Sequence, residues 1–336
     1  MPSFQLTPGV VIDPDRQEAY VMSPEGGIAA VGLADGTPIW HTTQADKPLT
    51  ISGELLVGQA EAPGPANELR IVTLDTRRGG QQVSEALIDL PPGVQPMIAA
   101  SLNRSFTAEA QPEPAAAAVS WEFTEQPLRG MAPGPPEVLP GEVPPAVSAA
   151  APPATGPATI APSPVGAPEP VGEPIIVRGS TRVDLSSGTV TATEAARIPA
   201  AAGPPPVPAG DSAGASDLEP DATLPGIALP QFLSADGRHV LSSQRVANDP
   251  EWNKYLWTVF ERDSGRRVGE LRMFVRYVPF FVADTRMIYQ TPLFSSRQGT
   301  QMVQEPIQLR AADLSTGAPL WSQPVRDTVD RDPPPP

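Results

Sequence analysis

Ala312-Asp313-Leu314-Ser315-Thr316-Gly317-Ala318-Pro319-Leu320-Trp321 reads as a strand, a tight turn and a second strand ending in tryptophan. Glycine supplies positive φ at a turn apex at little steric cost, and Asp, Ser and Thr hydrogen-bond to nearby backbone. Asp313 and Gly317 therefore specify the turn, and the apolar residues on either side specify paired strands. Four related stretches occur elsewhere. Leu33-Ala34-Asp35-Gly36-Thr37-Pro38-Ile39-Trp40 is one, and Val183-Asp184-Leu185-Ser186-Ser187-Gly188-Thr189-Val190 is another. Glu261-Arg262-Asp263-Ser264-Gly265-Arg266-Arg267-Val268 is a third, and Leu74-Asp75-Thr76-Arg77-Arg78-Gly79-Gly80 a looser fourth. Asp35 and Asp75 lie 40 residues apart, Asp263 and Asp313 50. A period of about 40–50 residues is that of a four-stranded propeller blade. One Asp–Gly turn fits any β protein. Five, each followed by β-prone residues, favour a repeat over an ordinary sandwich.

The rest of the chain fits that reading. It has 336 residues, 46 of them proline, and the prolines cluster. Roughly 230 residues remain outside the proline-rich stretches, enough for one sizeable core. No long window sets apolar residues at helical spacing, and proline interrupts most windows. The expectation is an all-β chain, a β-propeller of about five four-stranded blades. Residues 1–130 hold blades one and two and the first part of blade three, which 174–197 complete; 228–326 hold blades four and five. Residues 131–173, 198–227 and 327–336 are expected to be disordered, since Pro- and Ala-rich sequence has few bulky apolar residues to offset ordering entropy. Residues 131–173 read as a tether or loop insertion, with docking of a partner through proline motifs as the alternative.

The quoted stretch resembles the repeat of PQQ-like (quinoprotein-dehydrogenase-like) propellers, roughly apolar-Ala-x-Asp-x-x-Thr-Gly-x-x-x-Trp. Ala311 to Trp321 follows it closely and Ala30 to Trp40 less so. Leu233 to Leu241, with Ser234-Ala235-Asp236-Gly237-Arg238, is similar to the strand turns of WD40 and TolB-type propellers. The resemblance implies that Trp40 and Trp321 pack between neighbouring blades. The copies at Asp75, Asp184 and Asp263 lack the tryptophan. Quinoprotein dehydrogenases resemble larger rings, often with a vicinal cysteine pair and a calcium site beside the quinone. This chain has no cysteine and is shorter, so the resemblance is taken for fold and not for cofactor.

A net charge of −15 repels nucleic-acid phosphates and anionic membranes, and no basic cluster with interleaved aromatics offsets it. Without cysteine there is no disulfide and no thiolate metal site. Met1 to Pro8 lacks a basic, then apolar, leader pattern, and no apolar run is long enough to span a bilayer. The expectation is a soluble cytoplasmic protein; an exported chain whose leader has been trimmed fits the same composition.

No motif rises to a catalytic constellation. Gly210-Asp211-Ser212-Ala213-Gly214 matches a nucleophile elbow in spelling but lacks the strand before it and the helix after it. The two histidines, His41 and His239, have no second histidine at ligand spacing. Asp13 and Asp15, and Asp327, Asp330 and Asp332, lack the glycine-punctuated spacing of a calcium loop. The expectation is no catalytic residue, no cofactor and no metal. The leading functional reading is a non-enzymatic interaction or scaffold protein that binds a protein or peptide. The alternative is a glycan hydrolase or lyase using the central funnel, with Glu54, Asp236 and Asp284 near its early strands. A third is one component of a surface or secretion assembly tethered by the acidic linker.

Overall fold

Short alternating segments between glycine turns fold into five antiparallel sheets. The computed structural model describes residues 4–61, 67–98, 100, 103–126, 174–199, 223–246, 255–292, 294–298 and 301–326. Sheet one is β1 (Phe4–Thr7), β2 (Val10–Asp13), β3 (Glu18–Met22), β4 (Ile28–Gly32) and β5 (Pro38–Thr42). Sheet two is β6 (Lys47–Ser52), β7 (Leu55–Ala60), β8 (Glu68–Asp75) and β9 (Gln81–Asp89). Sheet three is β10 (Arg104–Glu113), β11 (Ala116–Glu125), β12 (Ile175–Asp184) and β13 (Val190–Pro199). Sheet four is β14 (Gln231–Leu233), β15 (His239–Arg245), β16 (Tyr255–Glu261) and β17 (Arg267–Met273). Sheet five is β18 (Phe280–Ala283), β19 (Arg286–Thr291), β22 (Gln308–Asp313) and β23 (Ala318–Pro324), and the hairpin of β20 (Phe294–Gln298) with β21 (Gln301–Glu305) is inserted between β19 and β22. Strands pair in chain order, the arrangement of propeller blades.

Burial falls from the first strands of a sheet to its last. β2 and β3 are buried at every position, whereas β5 and β23 have no buried residue. β9 keeps a clean alternation, with Ser84, Ala86 and Ile88 inward. Four apolar clusters lie between sheets. One joins sheets one and two through Tyr20, Ile28, Leu56 and Val72. A second joins two and three through Leu69, Ile88, Phe106 and Trp121. A third joins four and five through Trp257, Leu271, Phe280 and Met287. The fourth joins five to one, mixing Leu6, Ile12 and Val31 with Phe281, Ile288 and Leu309. Among the described residues no cluster joins sheets three and four, so the sheets form the row three–two–one–five–four.

The two end faces of that row are finished differently. The face of sheet three turned away from sheet two is polar and carries Thr107, Glu109, Ser120, Glu122 and Arg178. On sheet four the incoming segment folds back over the end face. Leu224 N donates to Gln231 Oε1 at 2.8 Å, Gln231 Nε2 returns bonds to the carbonyls of Leu224 and Ile227, and Ser242 Oγ donates to Ala228 O.

Three elements differ from expectation. β1 is an added strand at the start of sheet one, bonded to β2, with the Phe4 ring tilted against Phe281 at 5.1 Å and Leu6 buried. In sequence, Ile175–Arg178 and Thr181–Leu185 read as two strands parted at Gly179, but β12 runs unbroken through it. A Cβ at Gly179 would stand 2.3 Å from the Trp121 ring, so glycine marks a close approach inside a strand and not a turn. β13 reaches Pro199 and the chain is bonded again from Leu224, inside the span 198–227 read as linker. Residues 131–173 and 327–336, and Ser212 with its neighbours, lie outside the described residues.

Candidate functional site

The repeat residues build the junctions between sheets. The last two strands of each sheet are joined by a turn closed by a bond from a glycine N–H to the carbonyl four or five residues earlier. The bonds run Gly36 to Gly32, Gly80 to Asp75, Gly188 to Asp184, Gly265 to Glu261 and Gly317 to Asp313. Asp75, Asp184 and Asp313 thus share one position, and Gly32 and Glu261 fill it in the other two turns. Asp313 Oδ1 accepts from the Ser315 N–H and hydroxyl, at 2.8 and 2.7 Å. Asp184 does the same with Ser186 and Ser187; these bonds, the Ser186 hydroxyl first, lower its pKa to about 2. Asp35 sits three places later in its turn and accepts from Thr37 instead. Asp263 is displaced too: Glu261 takes the Ser264 hydroxyl bond.

The residue four places beyond the turn glycine seals one sheet to the next. Trp321 Nε1 donates to Leu33 O at 3.2 Å, and a Cβ on Gly36 would meet its ring at 2.7 Å. Trp40 packs the same way on Gly80 and lies 5.7 Å from Tyr20. Sheet two has Ser84 there, whose hydroxyl donates to Leu185 O at 2.7 Å. Sheet four has Gly269, and the backbone closes in until Glu270 N donates to Leu314 O at 2.9 Å. A Cβ on Gly265 would meet no neighbouring atom of the described residues within 4 Å. Ser84 and Gly269 carry no sequence signal; only the turn spacing would have found them.

The remaining polar candidates are held locally. His41 Nε2 lies 2.8 Å from Gly26 O. His239 is half-buried and its Nδ1 has no partner; desolvation lowers its pKa. Asp13 is buried and accepts from the N–H groups of Asp15 and Arg16, and desolvation raises its pKa. Glu54, Asp236 and Asp284 each occupy the turn between the first two strands of a sheet. Glu54 pairs with Arg77, Asp236 accepts from Ser234 and Arg238, and Asp284 has a φ of 57°. Among the described residues no three His, Asp or Glu side chains are placed to share a metal ion. Lys47 is the unexpected group. It is 3% exposed on β6 opposite Gln59, whose Oε1 is also buried and unpartnered. Desolvation lowers the Lys47 pKa, and Glu109 on sheet three opposes that shift through its charge.

Sheet three carries two surface recesses. Its four strands are ten residues each, longer than those of the other sheets. A groove of about 310 Å³ lies against its near face, lined by Pro91, Val94, Phe123, Ile175, Val177 and Ala195. Glu125 at its rim is paired with Arg104 at 2.8 Å. A second recess, about 240 Å³, opens among Thr107, Glu109, Ser120, Trp121 and Arg178. Two ion pairs stripe the far face, Arg178 with Glu122 and Arg182 with Glu113. Residues 127–173 leave and rejoin the chain beside the Glu125–Ile175 strand pair.

No protein-family profile and no curated protein matches this chain. Solved structures similar to it include apo AztD from Citrobacter koseri, at 9% identity over 95% of this chain and 86% of that one, with a TM-score of 0.31. A eukaryotic initiation factor is similar at 8% identity over 94% and 87%, TM-score 0.31. A europium-containing methanol dehydrogenase is similar at 10% identity over 94% and 68%, TM-score 0.22. Likenesses at these scores carry no argument, and the propeller-like, all-β architecture rests on the five sheets themselves. Among the described residues no helix is long and apolar enough to cross a membrane.

Proposed function

We propose that the chain is a five-bladed propeller of the PQQ-like kind and a non-enzymatic interaction module, with sheet three as the face that engages a protein or peptide. One observation carries the reading: the longest strands of the described residues, a groove on one face and a polar recess on the other belong to the same sheet. Ladder bonds hold that sheet rigid, and rigid presentation lowers the entropy cost of docking. The turn carboxylates do not favour a glycan hydrolase, because Glu54 is paired with Arg77 of the β8–β9 turn and Asp236 accepts within its own turn. A photo-crosslinking residue at Ser120 on the far face, compared with one at Asp263 in a turn, tests the proposal in the native cell. A discrete adduct from position 120 alone is the expected result. Adducts of equal pattern from both positions, or none, would sink it.

A further inference from the structure

We propose that Val138-Leu139-Pro140, within the proline-rich segment 127–173 outside the described residues, occupies the groove on the near face of sheet three. The inference goes beyond the docking reading, whose test reads the opposite face.

The groove opens onto the core. Its floor is Val94, Phe123 and Val177, buried members of the cluster that joins sheets two and three. Ile175 and Pro91 flank it half-buried, and Ala195 lies exposed at its rim. One wall forms after β9, where Val94 N donates to Pro91 O at 3.0 Å and Gly93 takes a φ of 87°. Pro91 and Pro92 have no N–H to offer there. Among the described residues the one charged group at the groove, Glu125, is already paired with Arg104. The groove therefore rewards apolar packing and holds no free charge for an ionic ligand. At about 310 Å³ it takes a few side chains, not a domain.

Connectivity names the occupant. Glu125 and Ile175 are partners on β11 and β12, and both line the groove. The 47 residues from 127 to 173 start and finish two positions from that pair. Tethered at both ends, the segment has an effective concentration on the order of millimolar at the groove. A free peptide of equal affinity must match that concentration to enter. The far face is thereby left as the surface open to a partner.

Composition picks the anchor. Val138-Leu139 is the only place in 127–173 where two bulky apolar residues adjoin. Pro135, Pro136 and Pro140 flank it, and the fixed φ of proline lowers the entropy lost when an extended chain docks. Leu139 lies 13 residues beyond Gln126. That is roughly 40 Å of chain at about 3.1 Å per residue, ample to fold back on the groove.

The chain has no cysteine, so introduced thiols are the only ones present. Full-length protein carrying Ala195→Cys and Gly141→Cys is oxidised mildly, and bridge formation is followed by non-reducing electrophoresis and peptide mass mapping. One control pairs Gly141→Cys with Ser120→Cys on the far face. The other pairs Ala195→Cys with Ala158→Cys elsewhere in the segment. Ala195 and Ser120 are both exposed and tolerate the change. The first pair is expected to bridge within one chain at least about tenfold faster than either control, and Leu139→Asp is expected to bring it down to the control rate. Equal rates for the three pairs overturn the proposal and leave the groove to another molecule. A first pair that ignores Leu139→Asp overturns it as well. A bridge between two chains also overturns it and gives the groove to a second copy.

Discussion

Trp321 Nε1 donates to the carbonyl oxygen of Leu33 across 3.2 Å of space and 288 positions of sequence. Leu185 O and Leu314 O occupy the same place in their turns and accept from Ser84 Oγ and Glu270 N. One acceptor position therefore recurs at three junctions with three different donors. Trp321→Phe keeps most of the packing but strands the Leu33 carbonyl, and is expected to cost about 1 kcal/mol in urea unfolding. Trp321→Ala also loses the ring and is expected to cost about 3 kcal/mol. Equal stability of wild type and Trp321→Phe would show the bond to be idle.

The glycine turns separate conformational strain from contact. Gly188 and Gly265 both have left-handed backbone, with φ of 71° and 66°. A Cβ at Gly188 would stand 2.1 Å from Glu85 O, whereas Gly265 faces open space. Gly265→Ala should cost about 1 kcal/mol, the left-handed penalty alone. Gly188→Ala should cost at least about 3 kcal/mol, since backbone must move as well. Matching losses in chemical denaturation would refute the docked turn.

Lys47 makes stability depend on alkaline pH. Its folded pKa lies below the ordinary lysine value of 10.5 because burial disfavours the ammonium. Between those two values the unfolded chain binds a proton that the folded chain does not, so stability rises with pH across that window. Lys47→Met is expected to flatten this rise and to stabilise the protein at neutral pH. Denaturation midpoints of the two proteins that run parallel up to about pH 10 would contradict it.

Asp184 acts in the opposite range. Its carboxylate is held at a pKa of about 2, chiefly by the Ser186 hydroxyl. Its contribution is complete above the unfolded value of 3.8 and is lost as pH falls through about 2. Carboxyl-carbon NMR should place the midpoint near 2, and Ser186→Ala should move it toward 3.8. A midpoint that ignores the substitution would mean that the hydroxyl bond does not form in solution.

Turn chemistry made the blades legible in the sequence, because Gly36, Gly188 and Gly317 each need positive φ beside a local acceptor. The same chemistry hid the register. Asp35-Gly36 looks like Asp-x-x-x-Gly with residues removed, yet the first turn position is Gly32, and Glu261 fills that role in sheet four. β1 was missed because four residues beside a proline carry little periodicity. The recess was missed because Glu122 and Arg178 are 56 positions apart and meet only once residues 127–173 are bridged. Gly179 read as a break, since a sequence does not show which aromatic ring crosses a glycine.

The cluster joining sheets one and five sets an order of events during synthesis. Leu6, Ile12 and Val31 leave the ribosome well before Phe281, Ile288 and Leu309, which cover them. Sheet one must therefore wait with this face uncovered while sheets two to four are made. A nascent chain stalled before residue 280 would expose that surface to chaperones, and release of the last sheet would hide it in one step.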